Sequence, residues 1–248
     1  MKAIKPFFIL LLITLQSFTT RNTYELWVHS GGSDVDAYIS QTYDQFTFGK
    51  EGPSKECFSK AMKGYLLLKY TDRLQHPNYL SVIDMSLSSA VKRFWVLDMS
   101  RHAVLFHELT SHGKNSGDEY AQSFSNTVNS LQSSLGFFLT GQIYEGAHKA
   151  SLKLYGLEKN INHNAFVRGI VIHGADYVNS EMAQSQQKIG RSYGCPAVRN
   201  EVIQPLIETI ANGTCLFIYH PTEDYQKHSS FLNSDQYLPY EWVSTSTD

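Results

Sequence analysis

Short apolar runs separated by polar breaks set the pattern of the chain. The runs are rich in Val, Ile, Leu, Phe and Trp, and short runs of this kind are typical of β-strands. The run before His173 is expected to be a buried strand that ends at this histidine. The predicted strands are Leu80–Met85, Arg93–Met99, Ala103–Thr110, Leu135–Tyr144, Leu152–Leu157, Val167–Ile172 and Thr214–Tyr219.

Three other stretches have a spacing that predicts helices. Apolar residues recur at helical intervals over residues 55–71, as in an amphipathic helix. A short helix is predicted over 180–188, and a longer one begins at Pro196 and is ended by Asn212-Gly213. Because strands are in the majority, the expected fold class is mainly β with α, a β-rich sandwich or barrel-like sheet with helices at its edges.

The N-terminus has the order of an export signal. Lys2 and Lys5 precede the apolar run Phe7–Leu15, and mainly small polar residues follow it. The run is too short to span a bilayer as a helix. Residues 1–20 are therefore predicted to be a signal peptide, and the mature protein is expected in the periplasm or cell envelope.

The rest of the chain divides into one domain and two polar flanks. Residues 21–54 predict a poorly ordered lead-in with one short segment at Tyr24–Val28. Residues 55–221 contain most of the predicted elements and form the domain. Residues 222–248 predict a polar C-terminal tail.

Composition narrows the class of protein. Apolar residues make up 42% of the chain and charged residues 18%, which suits a globular domain with a sizeable core. The net charge of -2 gives no electrostatic basis for binding nucleic acid. The three cysteines, Cys57, Cys195 and Cys215, are too few for a disulfide scaffold, and whether Cys57 pairs with Cys215 is left open.

The segment from His173 to Cys195 carries the candidate chemistry. A thiolate attacks carbonyl carbon, and a helix N-terminus or a nearby imidazole favours the thiolate. With Pro196 predicted at the first helical position, Cys195 would lie at such an N-terminus. The residues alone also allow an inert buried cysteine and a structural histidine.

The residues before Cys195 are suited to a sharp turn. Gly194 permits backbone conformations that other residues avoid. The N–H groups of Tyr193, Gly194 and Cys195 are then expected to converge on the oxyanion that develops during acyl transfer.

A resemblance adds to this interpretation. The segments IVIHGADYV and RSYGCPAV resemble the murein L,D-transpeptidase catalytic domain, the YkuD-like family, in the branch with the motif S-x-G-C-P-A. The upstream segments RFWVLDMS, SHGKNSG and SSLGFFLTGQIYEGAH are also similar to that branch. The resemblance extends from Phe58 to Pro221 and implies an L,D-transpeptidase catalytic fold over residues 55–221.

The resemblance implies a role for each matching residue. Cys195 would be the nucleophile and His173 its general base, with the carbonyl of Gly174 orienting the imidazole. Ser192 and Gly194 would shape the turn that carries the nucleophile.

One position departs from the commoner family motif. Tyr193 stands where that motif has a second histidine, two residues before the cysteine. The arginine that would bind a substrate carboxylate is then either Arg191 or Arg199. His112, in the polar loop 111–130, is a candidate for positioning the substrate or for stabilising a turn.

The resemblance also implies a reaction. Cys195 would form a thioester with a peptidoglycan stem peptide and pass the acyl group to an amine, without metal or cofactor. Carbapenems are expected to acylate the same thiol. An L,D-carboxypeptidase using the same site and a catalytically inactive wall-binding module are the alternatives.

Two other features are expected to have structural rather than catalytic roles. His107, Glu108 and His112 follow the spacing H-E-x-x-x-H, which is one residue too long for two zinc ligands on one helical face. His107 is therefore expected to be structural. Arg168, before the histidine strand, is expected to form a structural ion pair.

Overall fold

A computed structural model describes residues 27–28, 32–234 and 238–239. The predicted signal peptide lies outside these residues, as does most of the predicted segment at Tyr24–Val28. Within the described residues, no helix is long and apolar enough to cross a membrane.

Ten strands and five helices make up the described chain. The strands are β1 (Trp27–Val28), β2 (Tyr79–Asp84), β3 (Phe94–Asp98), β4 (Ala103–Glu108), β5 (Gly136–Gly146), β6 (Lys149–Gly156), β7 (Val171–Gly174), β8 (Ala197–Val198), β9 (Cys215–Tyr219) and β10 (Leu238–Pro239). The helices are α1 (Gly32–Gln45), α2 (Lys55–Tyr70), α3 (Ser180–Gln186), α4 (Asn200–Ile210) and α5 (Glu223–His228).

Eight of these strands form one sheet in the order β4-β3-β2-β9-β5-β6-β7-β8, and β1 pairs with β10 separately. The pairs β2–β9 and β7–β8 are parallel, and the other pairs in the large sheet are antiparallel. The residues that follow β4 reach back to β8, where Ser111 N–H donates to the Ala197 carbonyl at 2.9 Å. The sheet is therefore a nearly closed barrel, as the mainly β prediction anticipated.

Helix α2 forms where its sequence predicts. The Ser54 hydroxyl accepts from Cys57 N–H at 3.1 Å and so caps the first turn. Phe58, Met62 and Tyr65, at intervals of four and three residues, are all buried in the core. Burial of a side chain of this size contributes roughly 1.5–3 kcal/mol, so the apolar face holds the helix on the sheet.

Both polar flanks contain more structure than their composition predicts. The predicted lead-in holds α1, whose Ile39 is buried, and the following Phe46 is buried seven residues later. The predicted tail holds α5, and its Tyr225 and the later Phe231 are also in the core. Few but correctly spaced apolar residues are enough here, because each fills a place in a core that the rest of the chain builds. The domain boundaries themselves stay predictions.

Two predicted elements around the chemistry are wrong in their extent. The strand before His173 begins at Val171, since the chain turns through residues 160–169 and leaves Val167 75% exposed. The helix expected at Pro196 begins only at Asn200, because Ala197 and Val198 form β8 against β7. Pairing with an open sheet edge overrides the local preference for helix.

Candidate active site

His173 is held in one orientation at the end of β7. The side chain is buried, and its Nδ1–H donates to the Gly174 carbonyl at 2.9 Å. This bond fixes the tautomer and leaves Nε2 with its lone pair. Burial lowers the pKa of His173, and this effect outweighs the hydrogen bond to Gly174, which raises the pKa. The neutral imidazole is therefore the resting form.

A second imidazole covers the first. The ring of His148, in the turn between β5 and β6, stacks on the ring of His173 with centroids 4.0 Å apart and planes 20° from parallel. His148 is exposed, so it forms part of the surface over the buried ring. Sequence reasoning missed this contact, because a hairpin turn gives no signal of what it folds against.

Cys195 lies two residues before β8, beside β7. The parallel register pairs His173 with Ala197, which places Cys195 next to Val171. Its Sγ accepts from Val171 N–H at 3.5 Å and donates to the Gly169 carbonyl at 3.6 Å. In the described chain no hydrogen bond joins this sulfur to His173, which lies two residues, roughly 7 Å, further along the same strand edge.

The Cys195 thiol is protonated at rest. Burial raises its pKa, and this effect outweighs the opposing influence of Val171 N–H and of the Arg168 charge. The helix N-terminus that was expected to lower the pKa is not adjacent, since α4 begins five residues later at Asn200. The resting pair is therefore a thiol and a neutral imidazole.

The turn before Cys195 is tightly constrained. Gly194 has a φ of +126°, and a Cβ at this position would lie 2.8 Å from the Gln132 carbonyl oxygen. The Ser192 hydroxyl donates to the Cys195 carbonyl at 2.6 Å and accepts from Gly194 N–H at 3.0 Å. Of the three N–H groups expected to face an oxyanion, that of Gly194 is thus already bonded. The N–H groups of Tyr193 and Cys195 have no hydrogen-bond acceptor among the described residues.

Arg168 has a different environment from the structural ion pair that was predicted. Its guanidinium donates to the carbonyls of Ser125 and Gln132, both at 2.6 Å, and to the Ser130 hydroxyl at 3.1 Å. No carboxylate among the described residues pairs with it. Its charge lowers the pKa of Cys195. The sequence placed this arginine near the histidine strand but could not show which loop it would hold.

The two candidate arginines for a substrate carboxylate are both engaged within the chain. Arg199 contacts the Glu108 carboxylate through Nε at 3.0 Å and Nη2 at 2.8 Å. Arg191 donates to the Gly117 carbonyl at 2.9 Å and lies 3.5 Å from Asp118. A guanidinium that already holds a carboxylate at two points is poorly placed to bind another, whereas the partly exposed Arg191 retains free donors.

His112 is buried and does not reach the surface. Its Nδ1 accepts from the fully buried Arg93 at 2.8 Å, and burial together with the Arg93 charge lowers its pKa to about 4. Its carbonyl accepts from Ser192 N–H at 2.9 Å. The structure therefore places His112 behind the turn before Cys195, where its carbonyl supports the backbone.

The remaining residues that the sequence singled out lie either at the surface next to Cys195, which we call the mouth of the site and which Tyr193 and Lys114 form, or away from it. Tyr193 is 70% exposed, and Lys114 Nζ lies 4.5 Å from the centroid of its ring. His107 stacks on Trp95 with centroids 4.9 Å apart, in keeping with a structural role. All three cysteines are free thiols, and Cys57 and Cys215 are buried, so they form no disulfide with each other.

Several solved structures are similar to the chain. An L,D-transpeptidase from Mycobacterium smegmatis has 13% identity over 58% of this chain and 59% of its own, with a TM-score of 0.37. The L,D-transpeptidase LdtMt1 in complex with imipenem has 12% identity over 57% and 59%, with a TM-score of 0.36. An L,D-transpeptidase (residues 123–326) from Xylanimonas cellulosilytica has 16% identity over 75% and 93%, with a TM-score of 0.33.

These likenesses are distant and assign no residue or activity to the chain. The chain spans about three fifths of the length of the first two proteins. A comparison with curated proteins finds no match.

The family assignment has a separate basis. The family profile described as the L,D-transpeptidase catalytic domain matches residues 50–219, which is most of the chain and includes β2 to β9. The chain therefore belongs to the L,D-transpeptidase catalytic domain family.

Proposed function

We propose that this protein is an exported, peptidoglycan L,D-transpeptidase-like acyl-transferase with Cys195 as nucleophile and His173 as general base. One observation carries the proposal. Cys195 lies beside the strand of His173, and the bond from Nδ1 to the Gly174 carbonyl leaves Nε2 free to accept a proton. Membership of the family supports a substrate in the cell wall, and hence a location in the cell envelope.

The first step of the proposed reaction cleaves a stem peptide. The thiol turns from the Gly169 carbonyl toward His173, and Nε2 takes its proton as sulfur attacks the carbonyl carbon of the third, diamino-acid residue. The N–H groups of Tyr193 and Cys195 stabilise the oxyanion. As the carbon–nitrogen bond breaks, the imidazolium protonates the amine of the departing D-alanine, and a thioester remains.

The second step releases the acyl group. A side-chain amine of another stem peptide attacks the thioester, His173 accepts the proton of this amine, and the sulfur leaves and regains a proton. Water as the acceptor gives a carboxypeptidase, and a lysine of another protein gives an anchored protein. The same residues serve all three outcomes.

A neutral pair suits this sequence of proton transfers. Because the thiol pKa is raised and the imidazole pKa is lowered, proton transfer occurs during attack and needs no preformed ion pair. Thiolate formation without substrate is then expected to require alkaline solution.

Charge at the mouth supports a substrate that carries carboxylates. Lys114 lies over the exposed ring of Tyr193, and the Arg191 guanidinium donates to the Lys114 carbonyl at 3.3 Å. Stem peptides carry free carboxylates, which such cations attract. Tyr193, where the commoner motif has histidine, would contact the peptide by its face.

A carbapenem tests the nucleophile. We expect the protein to gain one carbapenem per chain by intact mass, and the variant Cys195→Ala to gain none, because attack on the strained amide requires this thiol. Cys215→Ala removes a buried thiol and serves as the matched control. An adduct that persists in Cys195→Ala would contradict the assignment.

Muropeptides test the reaction and its base. Incubation with purified muropeptides is expected to give crosslinked dimers with loss of D-alanine, read by mass. His173→Ala is expected to lower turnover by at least 100-fold while the unfolding midpoint shows that the variant is folded. Tripeptides alone would indicate a carboxypeptidase, and unchanged muropeptides would indicate an inactive wall-binding module.

A further inference from the structure

An open cavity of about 850 Å³ is lined by residues other than Cys195 and His173. Its walls are the loop 122–128, the turn 160–164 and the start of α5. A volume of this order holds one or two sugar rings or a short peptide. The floor is apolar, formed by Phe124, Leu135 and Tyr225.

Hydrogen bonds between the walls fix the shape of the cavity. The Asn126 side-chain oxygen accepts from Asn164 N–H at 2.9 Å, and the Asn164 amide donates to the Asn126 carbonyl at 3.1 Å. His163 Nδ1 accepts from Asn160 N–H at 2.9 Å and from the Asn126 side-chain amide at 2.8 Å, so the hydrogen on Nε2 is left as the donor of this ring. A preformed cavity loses less entropy when it binds a ligand.

The chemistry of the walls is polar but nearly uncharged. Among the described residues, Asp224 is the single carboxylate that lines the cavity, and neither lysine nor arginine lines it. Amides and hydroxyls both donate and accept hydrogen bonds, and an apolar floor suits the CH-rich face of a sugar ring. The polar wall residues are Gln122, Ser125, Asn126, Thr127, Asn160, His163, Asn164 and Thr222.

The cavity is coupled to the turn of the nucleophile by a short stretch of chain. The Ser133 hydroxyl donates to the Gly194 carbonyl at 3.2 Å, and Leu135, two residues later, is in the floor of the cavity. Ser125 lines the cavity and accepts from Arg168, whose charge acts on Cys195. Arg168 and the segment 133–135 therefore connect the wall of the cavity to the turn before Cys195.

We propose that this cavity binds the neutral N-acetylated amino sugar of the glycan strand, while the mouth near Lys114 takes the charged stem peptide. The identity of this ligand rests on the proposed function, since peptidoglycan joins these two chemistries in one molecule. A carboxylate-bearing peptide would meet Asp224 in the cavity and no cation, whereas an acetamido group and hydroxyls match the amides there. The cavity would then select substrate that is still attached to glycan.

The experiment is a titration with N,N′-diacetylchitobiose, followed by the amide NMR signals of the labelled protein. Signals of Asn126, Thr127 and His163 are expected to shift with a dissociation constant of roughly 1 mM. The variant Asn160→Gly removes an amide that lines the cavity and keeps the left-handed backbone at φ 67°. Loss of one neutral hydrogen bond is expected to weaken binding about three- to tenfold.

A matched variant separates this effect from a general one. Gln187→Gly removes another amide from a left-handed position, at the end of α3 and outside the cavity, and is expected to bind like the parent protein. Equal affinities for the parent and Asn160→Gly, or shifts outside the cavity, would overturn the proposal. So would cavity signals that respond to a synthetic stem tetrapeptide and not to the disaccharide.

The proposed function and this inference fail in different ways. If the disaccharide binds in the cavity but Cys195 accepts no carbapenem, the sugar site stands and the catalytic assignment fails. If Asn160→Gly and the parent both accept the carbapenem while neither binds the disaccharide, the sugar site is wrong and the nucleophile stands.

Discussion

Arg93 and Arg168 both donate hydrogen bonds to carbonyl groups behind residues 192–197, the segment that contains Cys195. Arg93 is fully buried and donates to the carbonyls of Thr110 and Leu87 and to His112, whose carbonyl in turn accepts from Ser192. Arg168 is half-buried and holds the loop whose Gln132 carbonyl lies against Gly194. Within the described residues, neither guanidinium has a carboxylate in hydrogen-bond contact.

The difference lies in the group on which each charge acts. Burial lowers the pKa of Arg93 to about 9, and its charge acts on His112 and Asp84 rather than on Cys195. The charge of Arg168 acts directly on Cys195. One arginine therefore holds the fold alone, whereas the other also lowers the pKa of the Cys195 thiol.

The largest expected effect is loss of stability on removing Arg93. Arg93→Ala leaves the buried Thr110 carbonyl and the buried His112 Nδ1 without their donor and opens a cavity, so the free energy of unfolding should fall by about 3–5 kcal/mol. Urea unfolding monitored by tryptophan fluorescence measures it. Arg168→Ala is the control and should lose less than half as much, because Ser125, Ser130 and Gln132, which accept from Arg168, are only partly buried. Equal losses would remove the distinction between the two arginines.

The next effect is a dependence of stability on pH that originates in His112. Its pKa is about 4 in the folded protein and near 6.5 when unfolded, so the unfolded state binds an extra proton below pH 6.5. Stability from this group is complete above pH 6.5 and falls by about 3 kcal/mol as the pH approaches 4. The variant His112→Asn can still accept from Arg93 and should lack this component.

Urea unfolding at pH 7.0, 5.5 and 4.5 measures that difference. Burial also raises the pKa of Asp84 and of Glu158, which adds a pH dependence common to both proteins, so the informative quantity is the parent minus the variant. Identical pH profiles would show that His112 is equally easy to protonate in both states.

The smallest effect is on the thiol itself. Arg168→Gln keeps some hydrogen bonds but removes the charge that lowers the pKa of Cys195, so alkylation by iodoacetamide at pH 8 should slow by a few-fold. The pH–rate curve should shift to higher pH. Arg199→Gln breaks the ion pair with Glu108 and should leave the curve unchanged. Equal curves for both variants would place Arg168 among the purely structural residues.

The sequence predicted most strands because their apolar runs are unambiguous. The runs around Leu80, Phe94 and Phe217 became central strands, and Asn212 and Gly213 ended α4 with positive φ as expected. The mainly β fold class was confirmed by the sheet. These features depend on local pattern, which a sequence displays directly.

What the sequence could not predict depends on contacts between distant residues. Pro196 indicated a helix, but the edge of β7 takes Ala197 and Val198 into the sheet. The partners of Arg168 lie 34 to 43 residues before it, and no spacing encodes them. His148 likewise meets His173 only because a hairpin folds over the site. The roles of Cys195 and His173 stay predictions until the reaction is measured.

The exposure of the three free thiols reports whether the chain is folded. Cys57 and Cys215 are 0% exposed, whereas Cys195 is partly open to solvent. A small thiol reagent should therefore count one sulfur per folded chain and three per unfolded chain. In a colorimetric titration, one reactive thiol per chain then indicates that the protein is folded. A larger number of reactive thiols per chain measures the fraction of chains that have unfolded.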